Sequence, residues 1–161
     1  LPVKAGLFAT IKTCNYLPNA LLKKEAVDRG ADFAVNFDEA GFLAEGATEN
    51  IGLVTPDRRL RVPHPGRILP GTTMQRALIL AEAGRVEGWL AGIETARLTR
   101  DDLTAATEIL IFGTTTNVTA ATNLDGNPVG DGQPGPVQSR LNTLIQREQA
   151  TENACTTRAF T

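Results

Sequence analysis

The chain has 161 residues, 42% of them hydrophobic, which is enough for one domain with a core of its own. Its 16 basic and 18 acidic residues are mixed along the sequence and leave a net charge of -2, so neither nucleic acid nor an anionic membrane is expected as a partner. We expect neither a membrane span nor a secretory leader, because no apolar run approaches the roughly 18 residues that cross a bilayer. These properties favour a soluble cytoplasmic protein with a small-molecule ligand.

Hydrophobic periodicity predicts alternating helices and strands. Apolar residues at helical spacing mark the helices, and short runs of period two between Gly, Pro and Asp turns mark the strands. In chain order we expect a helix over residues 18–29, strands over 32–37, 42–45, 50–55 and 60–62, a helix from Thr72 or Thr73 to about Gly84, a strand over 86–93, a helix over 99–106, strands over 108–112 and 117–123, and a last helix from Pro136. The first four strands are predicted to form an antiparallel meander. This mixed order indicates an α/β (mixed α+β) fold rather than a purely parallel wound sheet.

Four short segments carry residues that suit a phosphorylated aldehyde cofactor. They are Lys12-Thr13-Cys14-Asn15-Tyr16-Leu17-Pro18-Asn19, Ala44-Glu45-Gly46, Leu69-Pro70-Gly71-Thr72-Thr73 and Gly113-Thr114-Thr115-Thr116. They supply an amine for the aldehyde, a carboxylate for a ring nitrogen, and hydroxyls with backbone N–H groups for the phosphate. The combination predicts a pyridoxal-phosphate site.

The order of these segments resembles the class IV (fold type IV) pyridoxal-phosphate enzymes. This family comprises branched-chain aminotransferases, D-amino-acid aminotransferases and aminodeoxychorismate lyases, and the resemblance runs from about Leu7 to about Leu144. It implies the large cofactor-binding domain of the D-amino-acid aminotransferase-like fold, with a mixed, mostly antiparallel sheet and packed helices. We assign this domain to residues 1–148 and a polar tail to residues 149–161. The family's N-terminal small domain is absent from this sequence, so we expect that residues upstream of Leu1 are missing.

Lys12, Tyr16 and Glu45 are the predicted centre of the site. By resemblance, Lys12 bonds to the cofactor aldehyde and moves the substrate proton, Tyr16 hydrogen-bonds the phenolic oxygen, and Glu45 pairs with the ring nitrogen. The family pattern Glu-Gly-x-x-x-Asn reads Glu45-Gly46-Ala47-Thr48-Glu49-Asn50 here. Taken singly, Lys12 is typical of a solvated surface lysine, Tyr16 of a half-buried tyrosine, and Glu45 of a hairpin-end carboxylate facing water.

The threonines are the predicted phosphate and substrate ligands. By resemblance, Thr73 and Thr114 bind the phosphate, and the N–H groups of Thr115 and Thr116 receive the substrate carboxylate. Thr72 is also assigned to the phosphate, because short hydroxyl side chains and exposed N–H groups at a helix start suit an anion. The family's Pro-Gly-Ile-Thr-Arg departs here to Pro-Gly-Thr-Thr-Met, which removes an arginine. Alternatively, residues 114–116 are strand threonines chosen for β propensity.

Other reactive side chains are given ordinary roles. We expect His64 to be a loop residue and predict no metal site. We expect Cys14 to pack as a small hydrophobic residue, without a disulfide to Cys155.

The resemblance implies an aminotransferase that moves an amino group between a branched-chain-like amino acid and a 2-oxo acid. One alternative is an aminodeoxychorismate lyase that releases pyruvate with the same lysine and glutamate. A second alternative is a non-catalytic fragment or subunit that needs a separate N-terminal half. The resemblance also implies a homo-oligomer.

Overall fold

The structure is a computed structural model that describes residues 6–151. The predicted absence of a disulfide to Cys155 therefore concerns a residue outside the described part. The helices and strands, in chain order, are α1 (Leu7–Thr10), α2 (Leu17–Asp28), β1 (Val35–Phe37), β2 (Leu43–Gly46), β3 (Asn50–Val54), β4 (Arg59–Pro63), α3 (Thr72–Val86), β5 (Gly92–Ala96), α4 (Arg100–Ala105), β6 (Glu108–Gly113), β7 (Asn117–Ala121), β8 (Asn123–Leu124), β9 (Asn127–Pro128) and α5 (Pro136–Ala150). The predicted α/β (mixed α+β) class is confirmed.

A five-stranded sheet forms the centre of the fold. Its strand order is β5-β4-β3-β6-β7. β4 and β5 pair in parallel, because α3 connects them as a crossover, whereas β3 pairs antiparallel with both β4 and β6. The predicted meander is therefore only partly correct. β1 and β2 do form the expected hairpin, but they lie in a separate two-stranded sheet.

Both faces of the central sheet are covered, which explains why β6 is apolar on both sides. Leu110 and Phe112 belong to a core cluster shared with α3 and α5 on one face. Ile109 and Ile111 belong to a second cluster on the other face, beneath α4 and the β1–β2 hairpin. The predicted buried strand is confirmed, and residues 6–151 form three layers with the sheet in the middle.

One predicted strand is wrong. The strand expected over residues 86–93 is the end of α3 followed by a turn, and β5 begins only at Gly92. α3 continues past Gly84 to Val86. The indole of Trp89 packs directly on Gly84, where a Cβ atom would overlap the ring. Trp89 and Leu90 thus add to the core from a turn and not from a strand.

The helix ends agree with the sequence in most other places. α2 is followed by Gly30 with a φ of 66°, and α4 begins with a capping box in which Thr99 and Asp102 bond reciprocally.

Among residues 6–151, every helix is too short or too polar to cross a lipid bilayer. α5 extends to Ala150, two residues past the boundary expected for the domain.

Candidate functional site

Three of the predicted segments emerge at one edge of the central sheet. β3 begins there at Asn50, which pairs with Phe112 near the end of β6. β4 runs antiparallel to β3, so it ends with Pro63 at the same edge. The turn before β3, the loop after β4 and the turn after β6 therefore lie side by side. The first follows β2, which carries Glu45, and the other two contain residues 69–73 and residues 114–116.

Glu45 is held by the loop that follows β4. It lies near the end of β2 and is half-buried, and its Oε2 atom accepts a hydrogen bond from the backbone N–H of Leu69 at 3.0 Å. The carbonyl oxygen of Leu69 accepts a second hydrogen bond, from Nδ2 of Asn50 at 2.8 Å. The two ends of the Glu-Gly-x-x-x-Asn pattern thus hold one residue of the Leu-Pro-Gly-Thr-Thr segment. This arrangement fixes the carboxylate relative to the start of α3.

The start of α3 has the features of an anion site. Gly71 is the N-cap with extended backbone angles, and no side chain caps this helix within the described residues. Its first N–H groups carry the positive end of the helix dipole. A Cβ atom at Gly71 would overlap Oδ1 of Asn50, so the loop needs glycine there. Thr72 is exposed and Thr73 half-buried at this helix start.

The three threonines after β6 form a turn and not a strand. Residues 114–116 connect β6 to β7 and are exposed, so the interpretation of them as strand threonines is wrong. The carbonyl oxygen of Thr116 accepts a hydrogen bond from the hydroxyl of Thr119 at 3.1 Å. Asn117, with a φ of 54°, exchanges two amide hydrogen bonds with Gln149 of α5. The turn is therefore anchored at its second end.

Lys12 and Tyr16 lie next to each other between α1 and α2. The Nζ atom of Lys12 is 6.0 Å from the centroid of the Tyr16 ring, and Lys12 is exposed. Tyr16 is 39% exposed and is the N-cap residue of α2. Cys14, between them in sequence, is also exposed, so its predicted role as a packed hydrophobic residue is wrong.

Asn19 connects this segment to the glutamate turn. It is buried in the first turn of α2, and its Nδ2 donates to the carbonyl oxygen of Ala47, two residues after Glu45. Asn19 also lines a small cleft together with Glu45 and Arg67. Its Oδ1 atom is buried without a hydrogen-bond partner among the described residues. The beginning of α2 therefore approaches Glu45, while Lys12 is not among the residues that line this cleft.

Arg76 does not replace the arginine that the Leu-Pro-Gly-Thr-Thr-Met segment lacks. Its guanidinium instead binds the carboxylate of Glu148 in α5. The hydrogen bond from Arg76 holds the pKa of Glu148 below its usual value. Arg76 therefore joins α3 to α5.

Three residues of the predicted segments position the site in a way that the motifs did not indicate: Asn19, Asn50 and Leu69. Asn50 stands at the end of the Glu-Gly-x-x-x-Asn pattern, so the spacing was visible, but its bond to a loop 19 residues later was not. Asn19 follows the Asn-Tyr-Leu-Pro run and carried no signal except its place in the first turn of a helix.

Known proteins are similar to this chain along most of its length. The profile of the amino-transferase class IV family matches residues 2–124. The chain is 32% identical over 146 residues to the chloroplastic D-amino-acid transaminase of Arabidopsis thaliana, a match that covers 90% of this chain and 39% of that protein. The structure superposes on the T.th. branched-chain amino acid aminotransferase, solved with pyridoxamine 5'-phosphate, with a TM-score of 0.75 and 35% identity. That match covers 83% of this chain and 42% of the other.

A more distant structure shares the fold alone. It is assigned as a 4-amino-4-deoxychorismate lyase of Legionella pneumophila and gives a TM-score of 0.79 at 22% identity, over 92% of this chain and 53% of that one. The chain thus spans about half or less of the length of the relatives that it matches. Because the family profile covers most of its residues, this chain belongs to the class IV aminotransferase family.

Proposed function

We propose that this chain forms the cofactor-binding half of a pyridoxal-phosphate-dependent aminotransferase, which moves an amino group between a branched-chain-like amino acid and a 2-oxo acid. The observation that carries the proposal is the junction of Glu45, Leu69 and Asn50 beside the uncapped start of α3. It brings a carboxylate and an anion site to one edge of the sheet. The D-amino-acid and branched-chain enzymes among its relatives support the same reaction class.

The residues present fit the cofactor. A half-buried carboxylate suits a protonated ring nitrogen, because charge separated from water needs a partner of opposite sign. The N–H groups at the start of α3, with Thr72 and Thr73, suit a phosphate dianion, and Thr114 would add a hydroxyl from the neighbouring turn. When bound, pyridoxal phosphate supplies an aldehyde that takes up the amino group and a ring that withdraws electrons from the α-carbon.

The protein side chains would bind, orient and carry the proton. Lys12 is the amine that we assign to the aldehyde, and once a substrate amino group has taken its place, its Nζ atom would carry the proton between the α-carbon of that substrate and the cofactor. The hydroxyl of Tyr16 would orient the cofactor from the same segment. The backbone N–H groups of Thr115 and Thr116 would hold the substrate carboxylate at the sheet edge.

We propose further that the active protein contains a second half and is a homo-oligomer. Leu7, Phe8 and Leu17 flank Lys12 and are each at least 60% exposed. Such apolar surface beside a reactive amine favours a covering polypeptide, which would also exclude water from the reaction. Intact-mass analysis of the purified protein identifies any companion segment. The cytoplasm stays our prediction for the compartment.

Borohydride reduction followed by peptide mapping tests the assignment of Lys12. The reagent makes the link between the cofactor and its lysine permanent, so the cofactor mass is expected on the peptide that contains Lys12. A label on a peptide that contains Lys23 or Lys24 instead would overturn the assignment. Amination of ketoisocaproate, measured beside pyruvate release from aminodeoxychorismate, distinguishes the aminotransferase from the lyase.

A further inference from the structure

A second cavity lies beyond the cofactor loop, between three loops of the fold. Its volume is about 90 Å³, and it is lined by the tip of the β1–β2 hairpin, the loop after β4 and the end of β5. One water-sized group needs roughly 10–15 Å³, so this cavity has room for a ligand of several heavy atoms. The lining residues are Asp38, Phe42, Leu43, His64, Arg67, Ala96 and Arg97.

Arg97 gives this cavity an available positive charge. Its guanidinium lies over the ring of Phe42, 5.4 Å from the centroid. Within residues 6–151, no ion pair joins Arg97 to a carboxylate. A guanidinium carries five N–H donors in a planar fork, and one edge of that fork matches the two oxygens of a carboxylate.

The other charges in the cavity neutralise each other. Arg67 Nη1 lies 2.8 Å from Oδ2 of Asp38. Asp38 is itself fixed, because its Oδ1 accepts the backbone N–H groups of Ala40 and Phe42. Arg97 is therefore left with one uncompensated positive charge, which suits a monoanion.

The remaining walls are apolar. The side chains of Phe42, Leu43 and Ala96 face the cavity, and Leu43 and Ala96 also belong to the core cluster beneath the β1–β2 hairpin. A ligand with one charged end and a short hydrocarbon end would match a cavity with these two kinds of wall. A dianion such as phosphate would leave one charge unpaired and would place oxygen against hydrocarbon.

We propose that this cavity is a binding site for a short aliphatic monocarboxylate, with Arg97 as its carboxylate ligand, separate from the cofactor site. The proposal does not depend on the proposed function, because none of its polar groups is a predicted cofactor or substrate ligand. Arg67 also lines the small cleft beside Glu45, so an occupied cavity would contact the loop that carries Leu69 and Gly71.

The test is an NMR titration of the full chain with sodium isobutyrate, against sodium chloride at equal ionic strength. Isobutyrate has neither an amino nor an oxo group, so it cannot be turned over. Saturable shifts are expected at the backbone amides of Phe42, His64 and Ala96. The same shifts are expected in Lys12→Ala, which removes the amine assigned to the cofactor and thereby separates this proposal from the proposed function.

Two arginine variants make the test specific. Arg97→Gln is expected to weaken binding about tenfold, as the loss of one charge-assisted pair does. Arg140→Gln is the matched control, because Arg140 also stacks on an aromatic ring, that of Trp89 at 5.4 Å, but lies outside the cavity. Arg97→Lys, which keeps the charge without the planar fork, is expected to bind at an intermediate strength, and circular dichroism verifies that each variant is folded.

Three results would overturn the proposal. The first is unchanged affinity in Arg97→Gln, and the second is a set of shifts confined to Gly71, Thr72 and Gly113. The third is equal or tighter saturable binding of inorganic phosphate at the same amides, which would contradict the choice of a monocarboxylate.

Discussion

Glu45 and Asn50 hold the same residue from two sides: the carboxylate of Glu45 accepts the N–H of Leu69 at 3.0 Å, and the amide of Asn50 donates to its carbonyl oxygen at 2.8 Å. Neither bond is predicted by secondary structure. Together they couple the group proposed for the ring nitrogen to the loop proposed for the phosphate. Displacement of either glutamate or asparagine would therefore disturb both parts of the cofactor site.

Replacing Glu45 by Gln tests this coupling. The amide oxygen of Gln can still accept the Leu69 N–H, so the fold is expected to remain intact, but the charge that would stabilise a protonated ring is lost. We expect amino transfer to fall about 100-fold, as when one preorganised electrostatic group is removed from an active site. Single-turnover absorbance of the cofactor with an amino-acid substrate measures this rate.

Glu49→Gln is the control for that substitution. Glu49 belongs to the same turn, but its carboxylate accepts the N–H and hydroxyl of Thr48 instead of approaching Leu69. Its amino-transfer rate is expected to stay within about twofold of the unsubstituted protein, because glutamine keeps an oxygen that can accept from Thr48 and this position is given no contact with the cofactor. If Glu45→Gln and Glu49→Gln lowered the amino-transfer rate equally, the result would contradict a specific role for Glu45.

Gly71→Ala tests the packing of the loop on Asn50. The backbone angles at Gly71, φ -64° and ψ 134°, are allowed for alanine, so any effect arises from the overlap of the new methyl with Oδ1 of Asn50. We expect a loss of about 1–3 kcal/mol in unfolding free energy, typical of overpacking, together with weaker phosphate-dependent cofactor binding. Urea denaturation and cofactor titration measure the two effects.

The double variant Gly71→Ala/Asn50→Ala completes this cycle. Asn50→Ala removes both the obstructing oxygen and the bond to Leu69, so in that background the added methyl is expected to be nearly neutral. Additive losses in the double variant would show that the methyl acts elsewhere.

Glu108→Gln tests how α5 is attached to the sheet. Glu108 is 6% exposed, and its two carboxylate oxygens accept the N–H groups of Val137 at 3.0 Å and Gln138 at 2.9 Å. Glutamine leaves one of these N–H groups facing a donor, and we expect a loss of about 2 kcal/mol. Glu94→Gln on β5, whose surface pair with Arg61 is 41% exposed at the glutamate, is the control and is expected to lose less than about 1 kcal/mol. Thermal unfolding of the two variants is measured side by side. A larger loss in Glu108→Gln shows that the bonds from Glu108 to the start of α5 matter, whereas equal losses show only a general effect of a lost charge.

The lowered pKa of Asp102 predicts how the free energy of unfolding depends on pH. Its pKa lies below the usual value, chiefly because the backbone N–H of Thr99 donates to it, with further bonds from the Thr99 hydroxyl and Arg61 that outweigh burial. A carboxyl with a lower pKa in the folded than in the unfolded chain stabilises the fold above its unfolded pKa of about 3.9. That contribution is lost as the pH falls through the folded value. We therefore expect the urea midpoint to decrease below about pH 4.

The variant Asp102→Asn measures how much Asp102 contributes to this loss of stability at low pH. It is expected to lower stability at neutral pH by about 1 kcal/mol, as loss of a helix cap does, and to flatten the decrease below about pH 4. Asp101→Asn removes the neighbouring charge in the first turn of α4 without breaking the cap bonds. A steeper acid dependence in Asp102→Asn than in Asp101→Asn would contradict the assignment.

The sequence predicted most elements because their signals are local. The period-two run around Phe33, Val35 and Phe37 and the helical spacing in α2 and α5 depend on neighbouring residues only. The strand over residues 86–93 failed because the apolar residues Trp89 and Leu90 pack from a turn, with Trp89 against Gly84, a contact between α3 and the segment after it. No period in the sequence distinguishes that turn from a strand.

The candidate site was predicted in its residue types but not in its connections. Glu45 and Thr73 were identified from motifs, which encode the chemistry that a cofactor needs. The bonds from Asn19 to Ala47 and from Asn50 to Leu69 join segments that are distant in sequence, and hydrophobic patterning carries no record of such polar pairs. Cys14 was assigned to the interior from its residue type alone, whereas its position between α1 and α2 leaves it exposed.

The place of β6 in the sheet has a consequence for the order in which the chain folds. β3 and β4 are neighbours in sequence, whereas β6 reaches β3 only after α3, β5 and α4 have been passed. Closing that longer loop costs more chain entropy, so we expect the transition state to contain the β3–β4 hairpin and to lack β6. Conservative truncations in β3 would then slow refolding, and those in β6 would mainly accelerate unfolding. Stopped-flow kinetics with the opposite pattern would refute this order.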